Sequence, residues 1–195
     1  MADSSPTPSI IDPATLRRAQ AGDEAAFGII MRTHYEQIFR LVQAIVRNEH
    51  DARDICQDVW LTVWKQLPQF RGDAKLTTWL HPIAVRRAID HLRKRQRWYN
   101  RFLPFSVGDD TVESAPEPVT TDDARQQTEG AERSAQLKLL LDSLPPKLRA
   151  VLALREIEGL SYEEIAKVTA VPTGTVMSRL YHARRLLAQK LKDHP

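Results

Sequence analysis

Starting at Phe27, apolar side chains recur at Phe27, Ile30, Met31, Tyr35, Ile38, Leu41, Val42 and Ile45. Steps of three and four put them on one face of a long helix. The stretch 51–67 repeats the pattern through Ala52, Ile55, Cys56, Val59 and Val63, which predicts a second amphipathic helix. A third begins near Thr77 and carries Val85, Ala88, Ile89 and Leu92 at i, i+3, i+4 and i+7. Pro82 inside it predicts a kink or break, because the ring removes a backbone donor and crowds the preceding turn. From Trp98 to about Arg133 the periodicity stops, and Pro104, Pro116 and Pro118 stand among Ser, Thr, Asp and Glu, which is linker composition. Helical spacing resumes over 136–144, breaks at Pro145 and Pro146, and runs through Leu148, Val151, Leu152 and Leu154 to Gly159. No alternating strand pattern occurs, and no Asn-Gly or Asp-Gly pair joins two apolar runs, so hairpins are not expected. The expected fold is all-α, with two small helical domains joined by a flexible acidic linker. A tail and short helix occupy 1–22, the first domain 23–97, the linker 98–133 and the second domain 134–195. Neither half is large enough to bury a generous core.

The second domain carries the clearest local signal. Ser161 with Glu164 three residues on, just ahead of Ile165, has capping-box spacing and starts a short helix. Val171 and Pro172 interrupt that helix, and another runs from about Thr173 to Lys190, giving the outline of a helix-turn-helix. Ala170 stands in the turn where a residue of positive φ is often wanted, at a cost of about 1 kcal/mol. At 100° per residue, Val176, Leu180, Ala183 and Leu187 form one stripe, while Ser178, Tyr181, His182, Arg185 and Gln189 point away from it. Between Thr173 and Lys192 lie Arg179, Arg184, Arg185, Lys190 and Lys192 and no acidic residue. Phosphate neutralisation beside a DNA groove requires that balance.

Charge sharpens the picture once divided along the chain. The 195 residues hold 28 basic and 25 acidic groups, a net charge of +3. Residues 1–97 carry 15 basic and 11 acidic groups, 98–134 carry 3 and 8, and 135–195 carry 10 and 6. Two basic blocks therefore flank an acidic one, as expected of two polyanion-facing modules tied by a strap of opposite sign. The uncharged apolar run Ala25 to Met31 is far shorter than the roughly 20 residues that span a bilayer, so no membrane insertion is expected. The first residues show no basic segment followed by an apolar core, and the single cysteine, Cys56, fits a reducing, cytoplasmic location.

Two further surfaces emerge in the first domain. On the helix over 51–67, Asp54, Gln57, Asp58, Leu61 and Trp64 lie on or beside the face opposite the core stripe. Carboxylates with an exposed Leu and Trp suit a protein partner with a basic surface, the apolar groups anchoring and the carboxylates complementing. Past Pro82, Arg86, Arg87, Arg93, Lys94 and Arg97 cluster away from the apolar stripe as a phosphate-tracking surface. Upstream, Phe70, Arg71, Gly72, Asp73, Trp79 and His81 offer a loop and aromatic groups able to hold unstacked bases.

The segments DARDICQDVWLTVWKQLPQFRGDAKLTTWL at 51–80, AIDHLRKRQR at 88–97 and LPPKLRAVLALREIEGLSYEEIAKVTAVPTGTVMSRLYHARRLL at 144–187 together resemble a bacterial RNA polymerase sigma factor of the extracytoplasmic-function (ECF) group. The resemblance spans roughly 23–191, sparing the N-terminal tail and the linker. It implies an initiation factor without catalysis or cofactor of its own, which binds core RNA polymerase and directs it to promoter DNA. The core polymerase would meet Asp54, Gln57, Asp58, Leu61 and Trp64. The minus-ten element would be opened and held by Phe70, Arg71, Trp79, Arg86, Arg87, Arg93, Lys94 and Arg97. The minus-thirty-five duplex would be read by Thr175, Ser178, Arg179, Tyr181, His182 and Arg185. An anti-sigma factor covering the same faces is implied as a further partner. The chain departs from the family pattern at Pro82, at Arg86 where an Asn is usual, and at Met177 and His182 where basic residues are frequent. The family's minus-thirty-five sequence therefore does not carry over.

Two other classes compete with this one. A stand-alone helix-turn-helix regulator would use the same second domain but leaves the Asp54 and Trp64 face unexplained. A metalloenzyme is disfavoured because Cys56 and the histidines at 34, 50, 81, 91, 182 and 194 show no metal-ligand spacing. No Gly-rich phosphate loop or nucleophile elbow occurs either.

Overall fold

The computed structural model describes the backbone of residues 11–102 and 138–193 and the side chains of 11–98 and 138–192. The expected tail over residues 1–10 and nearly all of the acidic linker lie outside the described residues. Among those described, every regular element is a helix. The first group is α1 (Pro13–Gln20), α2 (Glu24–Val46), α3 (Glu49–Gln66), a 3-10 turn (Leu67–Gln69) and α4 (Leu76–Phe102). The second opens with a helical segment at 138–142 and continues with α5 (Pro146–Glu156), α6 (Tyr162–Thr169) and α7 (Thr173–Asp193).

Local chemistry sets the starts. Asp12, Asp23 and Asn48 each accept a hydrogen bond from the backbone N–H three residues on, at 3.2, 3.0 and 2.9 Å. These bonds satisfy donors that the first helical turn leaves free. Pro146 opens α5, where its missing N–H costs nothing. α4 runs unbroken through Pro82, so the break expected there does not occur. An internal proline costs about 3 kcal/mol, and burial of Leu80, Ala84, Val85 and Ala88 on the same helix offsets it.

α2, α3 and α4 pack mutually, and α5, α6 and α7 do likewise. The two groups also pack on each other, α2 against α5 and α4 against α5 and α6. One apolar core therefore runs from Ile38, Leu41, Ile45, Val59 and Leu80 through to Val151, Leu154, Ile165, Val176 and Leu180. Each small unit gains burial that neither could achieve alone. A smaller cluster of Ala19, Ala26, Ile30, Leu67 and Phe70 pins α1 and the 3-10 turn beneath α2.

Candidate nucleic-acid and partner interfaces

The helix-turn-helix is built as its residues dictate. Ser161 Oγ accepts from the Glu164 N–H at 3.2 Å, and Glu164 Oε2 accepts from the Ser161 N–H at 2.8 Å, closing the capping box. The hydrogen bonds from Ser161 hold the Glu164 carboxyl below its usual range. α6 ends on Ala170 at φ 54, ψ 44, the left-handed geometry anticipated for the turn. The capped α6 and the stripe of Val176, Leu180 and Ala183 fix α7 against its own unit. Its opposite face leaves Met177, Ser178, Tyr181, His182 and Arg185 exposed, with Thr175 and Arg179 half-buried at the margins. The rings of Tyr181 and His182 meet edge-on at 5.6 Å. Neighbouring cations serve the fold: Arg184 donates to Glu156 at 2.8 Å, and Arg155 donates to the Leu160 carbonyl at 2.8 Å while lying over Tyr162.

On α3, Asp54, Gln57, Asp58 and Leu61 are exposed, Leu61 at 59%. Trp64 is half-buried, its ring edge-on to Phe27 at 4.8 Å, so it borders the exposed face. His50 lies 3.9 Å from Asp54 with both side chains well exposed, an ion pair of little energetic weight.

Around α4 the candidate side chains divide. Arg71, Arg86, Arg87, Arg93, Lys94 and Arg97 are exposed. Arg87 donates to Thr62 Oγ1 at 2.8 Å, and Arg93 lies 3.7 Å from Asp90. Phe70 is buried, its carbonyl accepting from Gln20 at 2.6 Å and its ring 5.2 Å from the half-buried Trp79. His81, grouped from the sequence with the base-holding aromatics, instead faces inward and is 1% exposed.

His81 belongs to a cluster that sequence reasoning did not find. Its Nε2 lies 3.0 Å from Glu158 Oε2, and the same oxygen accepts from Gln37 Nε2 at 2.6 Å. His34, also buried, completes the group: desolvation lowers its pKa, a hydrogen bond with Gln37 opposes that shift, and His81 reinforces it. Nearby, Arg47 donates to Asp142 at 2.6 Å and to the Lys138 carbonyl at 3.3 Å, both across the two helical groups. The partners are 121, 77 and 95 residues apart, so no local pattern could have announced them. Among the described residues, no three His, Cys, Asp or Glu side chains are grouped to hold a metal.

A chain whose described elements are all helices, with an acid-free outer face on the second helix of a helix-turn-helix and a further basic helix in its other unit, has the construction of a DNA-binding transcription factor. Comparison with known proteins narrows the class. Residues 30–98 match the family Sigma-70 region 2, and residues 134–187 match Sigma-70, region 4. The RNA polymerase sigma-H factor of Pseudomonas aeruginosa is 36% identical over 188 residues, covering 93% of this chain and 94% of that one. The ECF RNA polymerase sigma-E factor of Escherichia coli is 32% identical over 190 residues, covering 94% and 95%. The chain belongs to the sigma-70 family of RNA polymerase sigma factors, in its ECF group. Two solved structures share the fold, each at 22% identity. CnrH in complex with the cytosolic domain of CnrY superposes with a TM-score of 0.64 over 95% of this chain and 100% of that chain. The sigma factor RpoE of Bartonella quintana, in complex with the anti-sigma factor NepR, gives 0.63 over 87% and 98%.

Proposed function

We propose that this chain is the promoter-recognition subunit of a bacterial RNA polymerase and performs no chemistry itself, RNA synthesis belonging to the polymerase. Core polymerase docks on the α3 face through Asp54, Gln57, Asp58, Leu61 and Trp64, with Leu61 as apolar anchor and the carboxylates meeting a basic surface. Arg71, Arg86, Arg87, Arg93, Lys94 and Arg97 track the phosphates of the opened minus-ten strand, beside the aromatic pair Phe70 and Trp79. Thr175, Ser178, Arg179, Tyr181, His182 and Arg185 enter the major groove of the minus-thirty-five duplex. The chain works in the cytoplasm, where its polymerase is, and an anti-sigma protein holds it inactive by covering these faces. Residues 1–22, 23–97, 98–133 and 134–195 are the tail, polymerase and minus-ten domain, acidic linker and minus-thirty-five domain.

The observation that carries this reading is the outer face of α7, which exposes Ser178, Tyr181, His182 and Arg185 with no acidic side chain up to Lys192. Each module alone is small, so free DNA affinity is weak and salt-dependent, and it becomes specific when the polymerase holds both modules at fixed separation. The test is run-off transcription with purified core polymerase on a genomic fragment library, with and without the chain. New discrete start sites are expected. Duplex binding with no core association and no new starts would make the chain a stand-alone regulator instead.

A further inference from the structure

Arg149, on α5, is the one buried arginine among the described residues, at 7% exposed. Its Nε is enclosed and has no hydrogen-bond partner, whereas its Nη groups are not enclosed. The charges that act on it do so through space: Asp142 favours the cation, and Arg47 and Arg95 oppose it. Burial, reinforced by those two arginines, pushes the guanidinium down to about 10. A buried charge left without a partner is costly, and a counter-ion offsets the cost.

The half-buried groups around it supply no such counter-ion. Arg47, which closes α2, donates to Asp142 at 2.6 Å, and Arg95 on α4 donates to Asp51 at 2.8 Å, so both carboxylates are already taken. His91 lies 3.4 Å from the same Asp51 oxygen and adds positive charge when protonated. Three guanidinium groups thus stand against two carboxylates, and Arg149 is the one left over. α5 packs on both α2 and α4, so the surplus charge sits where three helices meet. A duplex, broad and stiff, does not reach a guanidinium enclosed to this degree, but a small anion does.

We propose that Arg149, with Arg47 and Arg95 beside it, is a receptor for a small phosphorylated anion, taken as free phosphate or as the terminal phosphate of a nucleotide. A phosphate group carries about −1.5 to −2 near neutral pH, which matches the unbalanced guanidinium together with a protonated His91. The fork of the guanidinium suits bidentate donation to two phosphate oxygens, and the Nη groups are the ones an anion meets first. Oxygens spread tetrahedrally also suit cations arriving from α5, α2 and α4, where a planar carboxylate offers only two. The site is separate from the polymerase and promoter surfaces and works whether or not those serve as proposed. An anion that binds only the folded chain stabilises it by mass action, so stability here follows the supply of phosphate or nucleotide.

The test titrates inorganic phosphate, pyrophosphate and adenosine diphosphate into the full chain at constant ionic strength, with sodium acetate as the carboxylate control. Proton–nitrogen NMR follows the Arg149 Nε–H, assigned by its loss in Arg149→Met. A saturable, one-site shift is expected with at least one of the three phosphates and not with acetate. Equal affinity for inorganic phosphate and the diphosphates identifies the free ion as ligand, and tighter binding of adenosine diphosphate identifies a nucleotide. In thermal melts, phosphate at about 30 times its Kd should raise the parent Tm by about 4–8 °C, and Arg149→Met should lose that rise. An equal rise in both proteins is the general effect of excluded salts, means an adventitious ion only, and overturns the site. No saturable shift with any of the three, or the same shift with acetate, overturns it too. Should Arg149→Met fail to fold, Arg149→Lys assigns the resonance and the titration of the parent decides alone.

Discussion

Replacing Ala170 with glycine should stabilise the protein although it removes a methyl group. Ala170 holds φ 54 and ψ 44, and its N–H donates to the Ala166 carbonyl, so the left-handed geometry is built into the exit of α6. For an L-residue with a Cβ that geometry costs roughly 1–2 kcal/mol, and glycine escapes the cost. Glycine adds freedom to the unfolded chain worth about 0.5–1 kcal/mol against it. Ala170 is exposed, so no core contact is lost. The balance is a gain of about 0.5–1 kcal/mol, or an increase in Tm of about 1–4 °C for a protein of this size. Arg47, at φ 64, supplies the contrast. Its side chain bridges to Asp142 and the Lys138 carbonyl, so Arg47→Gly relieves the same strain but gives up that bridge and should come out neutral or destabilising. Thermal and urea denaturation of both variants measure the difference. A lower midpoint for Ala170→Gly would refute the claim that backbone strain dominates at this position.

Leu61→Asp should leave the melting curve unchanged, because Leu61 is exposed, yet weaken capture by immobilised core polymerase at least tenfold. Arg185→Ala should reduce transcription from a cognate promoter by an amount equivalent to about 1–3 kcal/mol of lost DNA contact, with holoenzyme assembly intact in a pull-down. Burial holds the pKa of His34 below 6.5, so the unfolded chain binds more protons than the folded one as pH falls through 6.5. Stability should therefore decline below that pH, and His34→Gln should flatten the decline in a series of melts between pH 7.5 and 5.

Much of the architecture was legible because it is written in neighbours. Apolar steps of three and four placed α2, α3 and α7, the Ser161 and Glu164 pair placed the start of α6, and the turn at Ala170 followed from where α6 had to stop. The proline at 82 does not break α4, because propensity is a local quantity and the packing that overrides it involves residues from several helices. Phe70 and Trp64 show the same limit. Phe70, grouped from the sequence with a base-holding loop, is closed over by α1 and the 3-10 turn, and Trp64, expected on or beside the exposed face of α3, leans on Phe27 at the start of α2. The Glu158 cluster was beyond reach for a different reason. A lone Glu, Gln or His carries no periodic signature, and only the docking of one unit on the other brings them together.

Cys56, the sole cysteine, sits fully enclosed on α3, and burial, aided by the charge of Glu36, pushes its thiol up to about 11. At neutral pH only about one molecule in ten thousand then carries the reactive thiolate, against a few per cent for a free thiol. An alkylating reagent must therefore wait for the helices around α3 to part, and each modified molecule records one such opening. The chain thus carries its own clock for internal breathing, readable by mass with no substitution, and a binding partner that tightens the first helical group should slow that clock in proportion to the openings it prevents.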